Sequence, residues 1–366
     1  MASKVLMKGN EAIAEGALLA GCRHYFGYPI TPQTEIAAYM AKMMPKLSGT
    51  FLQAESEVAA INMVIGAASA GRRAMTSSSS PGFALKSEGL SYLAGCDLPA
   101  VVANIQRGGP GLGGIQPSQA DYYHATRSAG HGDFHMLVLA PNSVQEMLDC
   151  AFDAFDLADE YCVTVALLAD GTLGQVMEPV DTSAKTPKPP VNKPWALTGT
   201  NGKRPPNIVN SLNLMPEDLE AKVFARYERY KIIEEREVRY EEYLTHDADI
   251  VVVAYGAASR VAQNAIDAAR RDGIRAGLLR PITLWPFPKK PLLALAQRVT
   301  AFVVAELSMG QMIDDVELAV RCQKPVLLCR RTGGMIITPE ELLQKIHEAT
   351  AANHTVQKEE SHGHRI

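Results

Sequence analysis

The chain has 366 residues, of which 47% are hydrophobic and 21% are charged, so it is long and apolar enough for two or three domains with full cores. Its 36 basic and 40 acidic side chains give a net charge of -4, which argues against a protein that binds nucleic acid by neutralising phosphates. No uncharged stretch reaches the roughly 18 residues of a membrane span, and Glu11 and Glu15 interrupt the apolar stretch near the N-terminus, which argues against a signal peptide.

Six cysteines are scattered along the chain without a Cys-x-x-Cys pair. This spacing disfavours a disulfide framework, a four-cysteine metal site or an iron–sulfur cluster in this chain. We expect reduced, buried thiols in a cytoplasmic protein.

Residues 1–180 alternate β-rich runs with helical patterns, which predicts a domain with a parallel sheet. The predicted strands are Cys22–Tyr28, Arg73–Ser78, Ala100–Gln106, Met136–Ala140 and Cys162–Ala169. One helix is predicted to begin with Thr31 as its N-cap and Pro32 as its first residue. Another is predicted to begin at Ser143, which is placed to form a capping box with Glu146.

Residues 181–246 have a different composition. The segment Pro179–Pro206 contains 7 of the 22 prolines, which predicts an extended tether. The segment Glu217–Glu242 contains 15 charged residues and predicts a solvated helix. Its apolar stripe is expected to pack on its own domain or on a partner, and it consists of Leu219, Val223, Tyr227 and Tyr230.

Residues 247–350 return to the alternating pattern and predict a second α/β domain. Its predicted strands are Ile250–Ala254, Ala276–Leu279, Ala301–Ala305 and Pro325–Leu328. Its predicted helices are Ser259–Arg271, which Gly273 ends, Met312–Arg321, and one that begins after Thr338 and Pro339. The polar tail of residues 351–366 is expected to fray.

A glycine-rich loop follows the predicted strand Ala100–Gln106. Gly109, Gly111 and Gly114 match the spacing of a dinucleotide fingerprint, but polar residues and Pro117 follow where that fingerprint needs a helix. We therefore favour a flexible loop beside a site. Arg107 ends the strand, where a guanidinium suits recognition of a carboxylate or phosphate. The alternative is an Arg that pairs with a nearby Asp.

The segment Gln53–Gly71 reads as a helix that carries an acid on its apolar face. At steps of three and four, Glu57 shares that face with Ala60, Ile61, Val64, Ile65 and Ala68. A carboxylate on such a face needs a partner or becomes protonated. The alternative is a first-turn acid that interacts with the helix dipole.

Three other patterns are weaker. His131, Asp133 and His135 would lie on one face of an extended segment as a metal triad, although short polar loops form such patterns by chance. His362 and His364 lie in the polar tail. Asp170 and Gly171 are interpreted as a turn.

Six motifs occur in an order that resembles the α subunit of 2-oxoacid:ferredoxin oxidoreductases, nearest to the branched-chain (3-methyl-2-oxobutanoate, or ketoisovalerate) type. The resemblance covers nearly the whole chain. The motifs are Gly27–Pro32 (GYPITP), Gln53–Gly71, Arg107–Gly113 (RGGPGLG), Gly130–Asp133 (GHGD), Leu284–Pro288 (LWPFP) and Glu306–Gln311 (ELSMGQ).

The resemblance implies a domain like the pyrimidine-binding domain of thiamine diphosphate enzymes, followed by a domain like the transketolase C-terminal domain. It implies an enzyme complex that oxidatively decarboxylates a 2-oxoacid to an acyl-CoA and CO2 and reduces ferredoxin. A β subunit would supply the diphosphate and Mg²⁺ site through a Gly-Asp-Gly motif that this chain lacks. Iron–sulfur clusters would lie in partner subunits, which include a γ and a ferredoxin-like δ subunit.

The resemblance also implies roles for individual residues. Glu57 matches the acid that hydrogen-bonds the aminopyrimidine ring and favours its imino tautomer, and Glu55 is the alternative if the register is two residues off. Thr31 and Arg107 match residues that bind the carboxylate of the 2-oxoacid. Cofactor-lining positions would be Tyr28, Pro29 and Ile30, and no metal ligand is expected in this chain.

Competing hypotheses remain. The substrate alternatives are 2-oxoglutarate and pyruvate. A non-catalytic assembly or regulatory subunit with the same fold is a different class, and a nicotinamide dehydrogenase that uses Gly109–Gly114 is a third.

Overall fold

The computed structural model describes residues 4–362 except Ser128, Ala184, Pro187, Lys188 and Pro190, and it describes residues 352–362 by their backbone alone. The strands are β1 (Val5–Lys8), β2 (His24–Gly27), β3 (Thr50–Gln53), β4 (Ala74–Ser78), β5 (Ala100–Gln106), β6 (Leu137–Leu139), β7 (Thr164–Asp170), β8 (Met177–Val180), β9 (Tyr240–Tyr243), β10 (Ile250–Ala254), β11 (Ala276–Pro281), β12 (Thr283–Trp285), β13 (Ala301–Glu306) and β14 (Val326–Arg330). The helices are α1 (Gly9–Leu19), α2 (Thr34–Met43), α3 (Glu57–Ser69), α4 (Ser80–Leu85), α5 (Ser87–Gly95), α6 (Tyr122–Thr126), α7 (Val144–Tyr161), α8 (Gly171–Gln175), α9 (Pro216–Arg236), α10 (Gly256–Arg271), α11 (Lys289–Ala296), α12 (Met312–Ala319) and α13 (Pro339–His362).

The first half of the chain forms a sheet with the strand order β12–β6–β7–β5–β4–β2–β3. Strands β2 to β7 are parallel, and β12 pairs antiparallel with β6 at one edge. Along β5, Val101 and Ala103 face α1 and α7, while Ala100 and Val102 face α3 and α5. Because helices cover both faces, every residue of this strand is buried, and its first four residues are apolar.

The second sheet has the strand order β14–β13–β10–β11–β9, and only β9 is antiparallel to its neighbour. One face of this sheet lies in an apolar cluster that continues into the core of the first half. The other face packs against α10 and α13. The two sheets therefore share a continuous core.

Buried hydrogen bonds also join the two halves. After β5, Gln119 donates from its side-chain nitrogen to the carbonyl of Tyr255 at 2.9 Å and accepts from the backbone N–H of Leu307 at 3.0 Å. Asp170, at the end of β7, accepts from the backbone N–H of Ala257 at 2.8 Å. These bonds fix the second sheet against the carboxyl end of the first.

Most predicted strands are confirmed, two of them residue for residue, but α2 begins later than expected. It starts at Thr34 with Gln33 at the N-cap position, so Thr31 is not its cap. The carbonyl of Pro32 accepts from the side chains of Asn10 and Gln175 instead of from a helical N–H. With that carbonyl engaged elsewhere, residues 28–33 lie before the helix and include a turn that the backbone N–H of Gln33 closes on the carbonyl of Ile30.

The charged helix α9 ends at Arg236, before the predicted end at Glu242. Residues 240–243 form strand β9 instead and pair with β11. The packing face of α9 also differs from the predicted stripe, since Leu219 is exposed while Tyr230 and Ile233 are buried. Tyr230 accepts from the backbone N–H of His135. The helix therefore packs on its own chain.

The proline-rich segment and the tail also differ from expectation. The described residues between β8 and α9 form no helix or strand, yet they are docked: Leu197 donates from its backbone N–H to the carbonyl of Ser69 at 2.8 Å, and Lys193 pairs with Asp159. The backbone of α13 continues to His362, so fraying from Ala351 was the wrong expectation up to that residue. Residues 363–366, including His364, lie outside the described residues.

Candidate functional site

The predicted site residues come together at the carboxyl edge of the first sheet. The turn Tyr28–Thr31 follows β2, Glu57 follows β3, and Arg107 follows β5. Carboxyl ends of parallel strands form one edge, which is the usual place for a ligand in such sheets. The chain order therefore brings these distant segments to one location.

A buried chain of hydrogen bonds holds the turn Tyr28–Thr31. Ser77 of β4 donates to the side-chain oxygen of Gln33 at 2.5 Å, and Gln33 donates to the carbonyl of Tyr28 at 3.2 Å. Tyr25 bonds Ser77 at 2.6 Å, and burial raises the pKa of Tyr25 well above its usual range. The turn leaves Tyr28 and Ile30 half-buried and Pro29 and Thr31 exposed.

Glu57 is the first residue of α3, after the N-cap Ser56, whose hydroxyl accepts from the backbone N–H of Ala59. Its side chain is 6% exposed, whereas Glu55 is exposed. The predicted apolar face is confirmed, since Ala60, Ile61, Val64 and Ala68 are buried and Ile65 is half-buried. The Glu57 carboxylate forms no hydrogen bond within the described part of the chain, so its oxygens are available to a ligand.

Arg107 is 7% exposed and has no ionic partner among the described residues. Its guanidinium donates to the carbonyls of Thr31 and Leu112, both at 3.0 Å, and its Nε is buried without a partner. The alternative of an Arg–Asp pair is therefore not what the structure shows. An unpaired buried cation beside the Thr31 turn suits an anionic ligand.

The backbone of Arg107 is fixed by a polar network. Ser80 accepts from the Arg107 N–H at 3.0 Å and donates to Asp121 at 2.5 Å, and Asn104 also donates to Asp121. The network joins the carboxyl ends of β4 and β5, which places Arg107 on rigid elements.

The glycine-rich loop closes on itself. Gly114 donates to the carbonyl of Gly108 at 2.8 Å, and Arg107 forms a β-bridge with Pro117. At Gly113, with φ of 59°, a Cβ would lie 1.8 Å from the Gly108 oxygen. No helix starts at Gly114, so a dinucleotide would lack the helix N-terminus that binds pyrophosphate.

The second half of the chain contributes to the site, which the sequence did not predict. A cleft of about 640 Å³ is lined by Thr31, Ile115 and Gln116 and also by Ile336. A Cβ on Gly108 would lie 3.2 Å from Gly333, so the glycine-rich loop packs directly on the segment after β14. In the sequence, the adjacent glycines Gly333 and Gly334 are the feature that could have indicated this close contact.

The remaining motifs have structural contacts. His131 bonds Ser91, and His135 stacks on Trp285 with ring centroids 4.6 Å apart. Among the residues that the structure describes, no group of three or more His, Cys, Asp or Glu side chains is placed to hold a metal. Buried Glu306 accepts from the backbone N–H groups of residues 311–313, which begin α12.

Asp170, predicted to be a turn residue, is instead the N-cap of α8. Its Oδ1 accepts from the backbone N–H of Leu173 at 3.1 Å. Burial raises the pKa of Asp170 above its usual value, although the hydrogen bonds from the backbone N–H groups of Ala257 and Leu173 act in the opposite direction.

Family models match nearly the whole chain. Residues 15–243 match the thiamine diphosphate-binding domain of pyruvate flavodoxin/ferredoxin oxidoreductases, and residues 248–342 match core domain II of pyruvate:ferredoxin oxidoreductase. The predicted fold class, a thiamine-type parallel sheet followed by a second α/β unit, is confirmed. In the described part of the chain, no helix has both the length and the apolar composition that a membrane crossing requires.

One curated relative and two solved structures show how far the similarity extends. The ketoisovalerate oxidoreductase subunit VorB of Methanothermobacter marburgensis is 50% identical over 94% of this chain and 97% of its own length. A 2-oxoglutarate:ferredoxin oxidoreductase from Magnetococcus marinus superposes with a TM-score of 0.85 at 27% identity, over 95% of this chain. The chain spans 65% of that protein's length. A split-gene transketolase, at 14% identity and a TM-score of 0.57 over 94% of this chain and 98% of its own, shares the fold.

Proposed function

Because this chain belongs to the pyruvate flavodoxin/ferredoxin oxidoreductase family, we propose that it is one subunit of a complex that oxidatively decarboxylates a 2-oxoacid. The products are an acyl-CoA and CO2, and the electrons go to ferredoxin. The relative at 50% identity, which is named a ketoisovalerate oxidoreductase subunit, favours 3-methyl-2-oxobutanoate as the substrate. 2-Oxoglutarate and pyruvate are the alternatives.

The buried, unbonded carboxylate of Glu57 is the observation that carries this proposal. The donor set fits the pyrimidine end of thiamine diphosphate, because a dry carboxyl group can hydrogen-bond a ring nitrogen and move a proton at Oε. When bound, the cofactor supplies the carbon nucleophile for decarboxylation. Tyr28, Pro29 and Ile30 would line the crevice beside its ring, and exposed Glu55 lacks the burial that this role requires.

Arg107 and Thr31 would bind the carboxylate of the 2-oxoacid. The Arg107 guanidinium is buried without an ionic partner and already touches the Thr31 turn. The exposed Thr31 hydroxyl and the remaining guanidinium N–H groups are donors that a substrate carboxylate accepts from.

This chain would supply only half of a thiamine site. It contains no Gly-Asp-Gly motif, so we assign the diphosphate and Mg²⁺ to a β subunit and the iron–sulfur clusters to partners that include a γ and a ferredoxin-like δ subunit. We assign residues 1–180 to the pyrimidine-type domain, 181–246 to the connection, 247–350 to the second domain and 351–366 to the tail. A cytoplasmic location fits the six free cysteines.

The proposal is tested by acyl-CoA formation in the purified native complex, with a viologen dye as electron acceptor. We expect turnover with 3-methyl-2-oxobutanoate to exceed turnover with pyruvate and 2-oxoglutarate. If the complex prefers another 2-oxoacid, that acid is the substrate in place of 3-methyl-2-oxobutanoate. A complex that assembles but turns over none of the three would favour the assembly or regulatory subunit.

A further inference from the structure

Gly82 in α4 leaves the space that the Glu57 carboxylate occupies. A Cβ placed on Gly82 would lie 2.4 Å from Oε1 of Glu57 and 2.3 Å from the hydroxyl oxygen of Ser78. Both separations are far below van der Waals contact, which for carbon atoms is about 3.5–4.0 Å. The carboxylate and the hydroxyl therefore face the same small volume above Gly82.

Ser78 ends β4 and is completely buried. Its hydroxyl has no hydrogen-bond partner within the described part of the chain. A buried hydroxyl without a partner is unfavourable. It lies against the same Gly82 volume as the Glu57 carboxylate, which is therefore a nearby acceptor.

Lys86, in the turn between α4 and α5, is the third group beside Glu57. Its side chain is completely buried, and its Nζ donates to the backbone carbonyl of Glu57 at 3.3 Å. No carboxylate of the described residues lies within ion-pair distance of this ammonium group. Burial lowers the pKa of Lys86 to about 8, and the nearby Glu57 carboxylate acts in the opposite direction. A cation is thus held in an unfavourable place next to the candidate cofactor acid.

We propose that Ser78, Gly82 and Lys86 form a cradle that positions the Glu57 carboxylate for proton transfer. This inference rests on the proposed thiamine function. With thiamine diphosphate bound, Glu57 would release its carboxyl proton from Oε to a ring nitrogen and would itself become a carboxylate. The ammonium of Lys86 stabilises that charge, the Ser78 hydroxyl donates a hydrogen bond to it, and Gly82 provides its space.

The test uses the complex assembled with its partner subunits and no 2-oxoacid. Exchange of the C2 proton of bound thiamine diphosphate for deuterium, stopped with acid and read by proton NMR, reports cofactor activation apart from turnover. Calorimetric titration gives cofactor affinity, and melting of the cofactor-free complex reports stability. The variants are Gly82→Ala, Ser78→Ala and Lys86→Met.

Two variants are matched controls. Ser79→Ala removes the next hydroxyl along the chain, which is also buried and has no hydrogen-bond partner among the described residues, but is not one of the three atoms nearest to a Cβ on Gly82. Gly66→Ala adds a methyl to another helical glycine, where it meets no atom within 4 Å.

We expect Gly82→Ala to slow C2 exchange about 10²-fold, because a displacement of the catalytic group by about 1 Å can lower the rate by that factor. Lys86→Met should slow it about tenfold, because the carboxylate of Glu57 loses a nearby positive charge, and it should not lower the melting temperature. Ser78→Ala should slow it by a smaller factor, and both controls should match the wild type.

Wild-type exchange in Lys86→Met and Ser78→Ala would overturn the cradle even if Gly82→Ala fails to fold. A wild-type rate in Gly82→Ala would overturn it as well. A wild-type complex that binds no thiamine diphosphate would instead overturn the proposed function.

Discussion

Glu57 is the residue on which the proposed chemistry depends most directly. Glu57→Gln keeps the shape of the side chain but cannot exchange a proton at Oε. We expect kcat of the assembled complex to fall roughly 10²–10⁴-fold, the usual contribution of general acid–base catalysis. The melting temperature should change little, because the carboxylate forms no hydrogen bond within the described chain. Exposed Glu55 is the control, and an effect of Glu55→Gln in place of Glu57→Gln would identify the other acid.

Arg107 is tested by substitution with Lys, which keeps the charge but loses the planar two-pronged contact. A charged hydrogen bond is worth about 1.5–3 kcal/mol, so kcat/KM for the 2-oxoacid should fall roughly 10- to 150-fold. Cofactor affinity should stay the same. The melting temperature should fall slightly, because two guanidinium bonds to backbone carbonyls are lost.

The matched control for Arg107 is Arg73→Lys, at the amino end of β4. Arg73 pairs with Asp156 and Asp159, away from the site. It should lower the melting temperature and leave kcat/KM unchanged. The same outcome in Arg107→Lys would remove Arg107 from the substrate site.

Lys86 makes the stability of the chain depend on pH in a defined window. Its pKa is about 8 in the folded chain, below the usual lysine value of 10.5, so between these two pH values the unfolded chain binds more protons than the folded chain. The free energy of unfolding therefore rises as the pH increases from about 8 to 10.5. At pH 7 the buried ammonium of Lys86 lowers the free energy of unfolding by on the order of 3 kcal/mol.

Comparison with Lys86→Met isolates this contribution. We expect the Met variant to be at least as stable as the wild type at pH 7, with the wild type gaining on it as the pH rises to 10.5. Urea denaturation across this range measures the difference. A variant that is clearly less stable at pH 7 would show that the Lys86 hydrogen bond outweighs its burial cost.

At the scale of elements, burial decided which parts of the fold were predictable. The strand Ala100–Gln106 was predicted residue for residue, because helices cover both its faces and five of its seven residues are apolar. The edge strand Thr50–Gln53 was missed, because its mostly exposed side chains carry no apolar pattern. The end of α9 was predicted too late, because charge alone cannot show that Tyr240–Tyr243 pairs with β11.

The structure of the motif Glu306–Gln311 predicts an effect on the stability of α12 and not on catalysis. Glu306 is completely buried, and its carboxylate accepts from the backbone N–H groups that start α12 and from the hydroxyl of Ser308 at 2.7 Å. Glu306→Ala leaves these donors unsatisfied, at about 1–3 kcal/mol each, so we expect a loss of at least about 3 kcal/mol. Urea denaturation measures it, and Glu306→Gln, which retains one acceptor oxygen, should lose less. Full stability with lost activity would make Glu306 a catalytic group.

At the scale of the whole molecule, a site residue was predictable only where the sequence pattern of a single segment indicates it. Glu57 could be proposed because an acid interrupts an apolar helical face, and Arg107 because it ends a buried strand. Lys86 could not, because its burial arises only when the turn between α4 and α5 packs against the start of α3. The Gly333 contact likewise requires the second sheet to be docked on the first.

The last prediction concerns assembly. The chain carries Glu57 and Arg107 but no Gly-Asp-Gly motif, so the purified chain alone should show no viologen reduction with any 2-oxoacid. Apolar side chains are exposed beside the site, with Leu112 at 82%, Met335 at 60% and Ile115 at 59%. Such a surface next to a half-site is expected to be buried in a stable interface, which typically exceeds about 2,000 Å².

Leu112→Asp should therefore prevent co-purification with the partner subunits and leave the melting temperature of the isolated chain unchanged, since Leu112 makes little contact within it. The control is Leu318→Asp near the end of α12, a site that is 68% exposed and is not on the glycine-rich loop, and it should assemble normally. Light scattering after size exclusion measures both. Turnover by the single chain, or normal assembly of Leu112→Asp, would show that the thiamine site is completed in another way.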